Sequence, residues 1–176
     1  MRRLDEPLAE FVPAIDLDRL SAWSIAHDAP HLIGFRIGPS LLSDPVAHLN
    51  NVAILQLVDR AAEDHLDRFG WTRRAMAAKG VMWFVARHEI DYRAEAFAGD
   101  ELVAATWIES FGRTTCVRAT RLWRLADDRL IAEASSRWVH IDLASRRPRR
   151  IAEELRVAMP ARLAEPDRRD ANPRVD

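Results

Sequence analysis

Cysteine occurs once, at Cys116, so no intrachain disulfide can form and no cysteine-based zinc spacing exists. The fold has to hold by packing alone. Lysine is also reduced to one residue, Lys79, among 26 basic side chains, which reads as a bias toward arginine rather than a binding signal. The 27 acidic residues bring the net charge to -1, a balance that argues against nucleic acid as a main partner. No stretch approaches the roughly 20 consecutive apolar residues that a membrane-spanning helix needs. The acidic, proline-interrupted start from Met1 to Pro13 lacks a secretory apolar segment. A cytoplasmic protein that does not engage membranes is therefore expected. The six histidines show no His-x-x-x-His spacing, and no metal is expected.

What is present is enough apolar material, 48% of 176 residues, to bury one sizeable core, and a single domain is expected. Residues Met1 to Pro30 show scattered apolar positions, with a weak helical signal over Asp16 to Ala26 that would turn Leu17, Leu20 and Trp23 inward. From His31 the pattern alternates, with Ile33, Phe35 and Ile37 on one face, until Gly38, Pro39 and Ser40 stop it. That reads as a strand. Asn50 and Asn51 then stand where helix caps are expected, and Val52 to Phe69 contains neither Gly nor Pro. Val52, Leu55, Ala62, Leu66 and Phe69 recur at helical spacing, and Ala53, Ile54, Leu57 and Val58 fill the rest of the first turns. The front half of this helix has to be enclosed, whereas the back half is amphipathic and Gly70 suits a left-handed C-terminal cap.

A linker around Trp71 to Gly80 leads into four runs rich in β-branched and aromatic residues: Val81 to Arg93, Glu101 to Ser110, Thr114 to Leu125 and Arg129 to Leu143. Their separators, Gly99-Asp100, Phe111-Gly112-Arg113 and Asp127-Asp128, are short turns that force antiparallel neighbours. A short helix over Ile151 to Met159 follows, and the tail from Pro160, dominated by Arg, Asp and Pro, is expected to be disordered. The fold class is α+β. A helix apolar all round, followed by four antiparallel strands, is enclosed most simply by curling the sheet about it, an arrangement that resembles the hot-dog fold.

One stretch concentrates chemistry. Asp44-Pro45-Val46-Ala47-His48-Leu49-Asn50-Asn51 packs an acid, a base and two amides into eight positions ahead of the long helix. It resembles the Asp-x-x-Gly-His-x-Asn-Asn motif of acyl-CoA thioester hydrolases related to 4-hydroxybenzoyl-CoA thioesterase, which are hot-dog enzymes. The resemblance continues through Arg87 to Tyr92, Phe97 to Leu102 and Asp142-Leu143. It covers residues 31–159, leaving an N-terminal extension (1–30) and the tail (160–176) outside. It implies that Asp44 is the catalytic carboxylate, a general base or nucleophile, and that the amide of Asn50 forms the oxyanion site, with His48 and Asn51 supporting the geometry. It also implies at least a homodimer, or a homotetramer, with composite active sites and no organic cofactor. Physically, unpaired amides at a helix N-terminus favour the charge that develops on a thioester oxygen. A turn-starting Asp44 before Pro45 and a helix-capping Asn50 or Asn51 are the structural alternatives.

Three positions depart from the motif: Ala47 stands where Gly is usual, Ile54 where Tyr is common, and Pro45-Val46 replaces an Ala-Leu type pair. Ala47 and Ile54 bear on substrate binding, and the glycine of the motif suggests a positive φ or a close approach of substrate. Arg146 and Arg147, in the run Arg146-Arg147-Pro148-Arg149-Arg150, and Arg73-Arg74 are basic clusters in loops suited to coenzyme A phosphates, or to solvent. Cys116 is expected as a small buried thiol rather than a nucleophile, and Glu63 as a solvated helix residue, with a place lining the active-site cleft as its alternative. The leading expectation is an acyl-CoA thioesterase. A non-catalytic acyl-CoA-binding or sensor protein, or a hot-dog hydratase or dehydratase, is the alternative.

Overall fold

A computed structural model describes residues 8–161 apart from 24, 26 and 28, and of residue 17 the backbone only. The disorder expected for the tail concerns residues of which 162–176 lie outside the described set. The chain forms β1 (Ala9–Phe11), α1 (Leu17–Ala22), β2 (His31–Arg36), α2 (Asn51–Asp67), α3 (Arg73–Ala78), β3 (Val81–Tyr92), β4 (Glu101–Phe111), β5 (Thr115–Arg124), β6 (Arg129–Asp142) and α4 (Glu153–Ala158). The strands make one six-stranded sheet in the order β1-β2-β4-β5-β6-β3. One long helix with an antiparallel sheet is the hot-dog fold that the pattern of the sequence resembles.

The five expected strands and the long helix occur within two residues of their expected bounds, because periodicity and turn residues are local signals. The helix ends at Asp67, where the Gly70 amide donates to Asp67 O at 2.9 Å and Gly70 takes φ +77°, the left-handed cap that its missing Cβ permits. Val52 and Phe69, expected to face inward, are 59% and 41% exposed. Val52 lies in the first turn and Phe69 beyond the last, so neither is flanked by helix on both sides.

Besides a short 3-10 turn over Pro39–Leu41, two elements are not anticipated by the sequence. The linker holds α3, capped by Thr72 Oγ1, which accepts from Ala75 N at 3.1 Å, and anchored by buried Met76. Near the N-terminus, three residues of β1 pair antiparallel with β2, Ala9 opposite Arg36 and Phe11 opposite Gly34. The weak signal at Asp16 becomes α1, with Asp16 Oδ1 accepting from Arg19 N at 2.8 Å. Trp23 is buried and stacks on Trp123 at 5.2 Å between centroids, and its Nε1 donates to Asp128 at 2.8 Å.

Tertiary contacts group the chain into two compact units. The first comprises, of the described residues, those within 8–65 together with Ile90–Thr106 and Thr120–Ala134. In its core Ala53, Ile54, Leu57 and Ala61 of α2 meet Phe35, Leu102, Leu122 and Ile131 from four strands. The buried residues of α2, Ala53, Ile54, Leu57, Val58, Ala61 and Ala62, recur as adjacent pairs every four positions and form one face of the helix. The second unit comprises, of the described residues, Leu66–Glu89, Trp107–Ala119 and 135–161. Its core sets Met76 of α3 and Leu155 of α4 against Val81, Trp83, Ile108 and Cys116. Cys116, 4% exposed, is the small buried thiol expected of it.

Candidate active site

The connection from β2 to α2 is fastened at its base and free at its tip. The Ser43 amide donates to His48 O at 2.8 Å, and the Ala47 amide to Ser43 O at 2.9 Å, closing the loop on itself. Leu49 is buried, and its amide donates to Ala96 O at 2.7 Å, which ties the loop to the segment after β3. Residues 44–47 stand exposed above this base. The Asp44 carboxylate has neither a hydrogen bond nor an ion pair among the described residues, so it is open to an incoming molecule.

Ala47 takes φ +55°, the left-handed region. The positive φ suggested by the glycine of the motif is therefore a property of this backbone position, and alanine occupies it with the strain that a Cβ brings there. His48 is half-buried, and its Nδ1 is enclosed without a hydrogen-bond partner among the described residues. Asn50 has two structural tasks. Its side-chain Oδ1 accepts from Val52 N at 2.7 Å, capping the helix, and its own amide donates to Leu41 O at 2.9 Å. Its carbonyl meanwhile accepts from Ile54 N at 2.9 Å. The Asn51 and Ala53 amides, in the first turn, have no acceptor among the described residues. A 17-residue helix presents its positive end there.

The remaining sequence-derived candidates divide between the units. Ile54 is 3% exposed and packs into the first core beside Leu57 and Phe35. Arg146 and Arg147 lie exposed on the turn after β6, in the second unit. Arg146 takes φ +56° and its amide donates to Asp142 O at 2.9 Å, while Arg147 O accepts from Asp142 N at 3.0 Å. Hydrogen bonds from the Ser145 amide and hydroxyl, with help from the Ala144 amide and Arg149, hold the Asp142 carboxyl below the usual carboxylate range. Among the described residues, no group of three His, Cys, Asp or Glu side chains is placed to hold a metal ion.

Sequence reasoning did not single out Lys79 or His140, which share a cleft of the second unit. Neither belongs to a motif, and residues so far apart in the chain signal their proximity only once it is folded.

Comparison with curated protein sequences gives no match. Among solved structures, the chain is similar to a 1,4-dihydroxy-2-naphthoyl-CoA thioesterase from Synechocystis, at 18% identity and a TM-score of 0.68, covering 74% of this chain and 95% of that one. A Staphylococcus aureus protein solved in complex with CoA aligns at 12% identity and a TM-score of 0.69, over 74% of this chain and 81% of the other. A 12:0-ACP thioesterase from Umbellularia californica aligns at 20% identity and a TM-score of 0.63, over 72% of this chain but only 48% of the larger one. These likenesses concern the fold. A family model described as the thioesterase-like superfamily matches residues 41–159, a span that begins just ahead of the Asp44 loop and ends with α4. With well over half of its length matched by that model, the chain belongs to the thioesterase-like superfamily.

Proposed function

We propose that the protein hydrolyses acyl thioesters of coenzyme A, with Asp44 as general base toward water or as direct nucleophile. The observation that carries this reading is an exposed carboxylate without a partner among the described residues, on the loop that leads directly into a helix end whose Asn51 and Ala53 amides are uncommitted. Attack on the thioester carbonyl places negative charge on its oxygen, and amides already oriented at a helix N-terminus stabilise that charge without reorganising. The oxyanion role expected for the Asn50 amide passes to Asn51 and Ala53 in this reading, because Asn50 is engaged with Leu41 and with the helix cap. His48 serves to orient Asp44 or the attacking water, and Arg146 and Arg147 contact carrier phosphates. Ile54 acts through packing. The family and the CoA complex of one structural relative support coenzyme A as the carrier. The chemistry calls for no metal or organic cofactor, and a homodimer paired through β3 is the assembly we infer.

Asp44→Asn is the informative variant, since it keeps size and removes charge and basicity. General-base or nucleophilic assistance is worth about 10² to 10⁴ in rate, so kcat for thiol release across a panel of acyl-CoAs should fall by that factor while acyl-CoA binding persists. Turnover equal to the parent on the best substrate would remove Asp44 from the mechanism. Binding of acyl-CoA with no thiol release by the parent itself would assign the protein to the non-catalytic binders.

A further inference from the structure

The second unit contains a cleft of about 360 Å³, within the usual size of a small-ligand site. Trp71, Lys79, His140, Arg149, Arg150 and Glu153 line it. None of them belongs to the Asp44 loop. Two segments supply the cations: Lys79 caps α3, and Arg149 and Arg150 follow the turn after β6. Lys79 Nζ is held 3.8 Å from the centroid of the Trp71 ring, which fixes the ammonium in place without neutralising it. Arg149 Nη1 shares its charge with Asp142 Oδ2 at 3.1 Å. Lys79 and Arg150 have no carboxylate partner among the described residues.

His140 adds a polar group that surface charge alone does not explain. It is 2% exposed, and its Nδ1 lies 3.1 Å from Arg149 O. A carbonyl oxygen only accepts, so Nδ1 carries the proton and Nε2 presents a lone pair. That Nε2 is buried with no hydrogen-bond partner. Burial lowers the imidazole pKa and outweighs the opposing pull of the Arg149 and Arg150 backbone, so the net direction is downward, which agrees with a neutral ring. A buried acceptor left without a donor is unfavourable, and a ligand that donates to it removes the cost.

The cleft therefore offers two uncommitted cations, a third shared with Asp142, and one buried acceptor. A dianion with an adjacent hydrogen-bond donor matches that set better than a carboxylate, whose single charge would leave one cation idle. We propose that this cleft binds a phosphate monoester, with Lys79 and Arg150 contacting the phosphate and a neighbouring hydroxyl or amino group of the ligand donating to His140 Nε2. Glu153 on the same wall opposes the anion and sets an upper limit on affinity. The phosphate comes either from a free phosphorylated metabolite or from the 3′-phosphorylated nucleotide end of coenzyme A.

Calorimetric titration of the full chain with ribose 5-phosphate and, separately, with coenzyme A distinguishes these sources. At least one probe should bind. Arg150→Ala and Lys79→Gln should each weaken that binding by about tenfold or more, the worth of one charge-assisted hydrogen bond, and Glu153→Gln should strengthen it. Dependence of both probes on Arg150 assigns the cleft to phosphate monoesters in general. Dependence of coenzyme A alone assigns it to the carrier, and of ribose 5-phosphate alone to a separate metabolite. No binding of either probe at millimolar concentration, or binding indifferent to both cation substitutions, overturns the proposal. Because binding is read without turnover, an inactive Asp44 would not affect the result.

Discussion

At the scale of single residues, Ala47 links backbone strain to the site. A residue bearing a Cβ pays about 1–2 kcal/mol in the left-handed region, whereas glycine there pays instead about 0.4–1 kcal/mol through the freedom of the unfolded chain. Ala47 is exposed, so replacing it removes little packing. Ala47→Gly should therefore raise the urea midpoint, by a stability gain on the order of 1 kcal/mol or less, with an unchanged m-value. A lowered midpoint would mean that the Ala47 methyl makes contacts that outweigh its φ of +55°. The same residue shows why the departure from the motif leaves the loop intact: alanine adopts the backbone that glycine would, and Asp44 keeps its place at the tip.

At the scale of elements, β1 is held by few interactions and each can be named. The Phe11 ring lies over Gly34 so closely that a Cβ built on Gly34 would sit 2.4 Å from Phe11 Cε2. Gly34 thus interrupts the alternation of β2 in order to seat an aromatic ring from its neighbour. Arg60 of α2 adds a second tie, its Nε donating to Glu10 Oε1 at 2.6 Å and its Nη2 to Oε2 at 3.1 Å. Both partners are about 30% exposed, and such pairs contribute roughly 0–1 kcal/mol, so the ring carries more of the attachment. Gly34→Ala should displace Phe11 and release β1. Amide exchange at residues 9–11 should then accelerate at least tenfold, while the core amides of β4 stay protected. Unchanged exchange at these residues would show that Phe11 finds another seat.

At the scale of the whole molecule, the two ends of the sheet differ. β1 is a three-residue edge, too short to template much pairing, whereas β3 is twelve residues long and exposes Phe84 (44%) and Val85 (37%). An exposed edge with apolar side chains calls for cover, and in the homodimer proposed above a second copy of the same strand would supply it with twofold symmetry. Light scattering at micromolar concentration should give a dimer or larger. The double variant Phe84→Asp, Val85→Arg should shift the mass to a monomer and lower thioesterase activity with it. A parent that is monomeric and fully active would defeat pairing through β3 and any composite site.

Much of this protein is written in local signals. The strand from His31, the helix without Gly or Pro, the cap at Gly70 and the turns at Gly99 and Asp127-Asp128 each rest on residues within a few positions of one another, and each appears in the structure. The motif around Asp44 is local too, which is why the family was legible from it. Other features depend on residues that meet only after folding. Nothing near Asn50 announces that its amide turns to Leu41, a contact nine positions away that engages the amide expected at the oxyanion site. Three residues of β1 carry too little periodicity to read as a strand until β2 is beside them, and α3 is too short to stand out until Met76 has a core to enter. The cleft that gathers Lys79, His140 and Arg150 lies beyond any spacing rule, because burial and the partners of a side chain are properties of the packed chain and periodicity is a property of the neighbouring sequence.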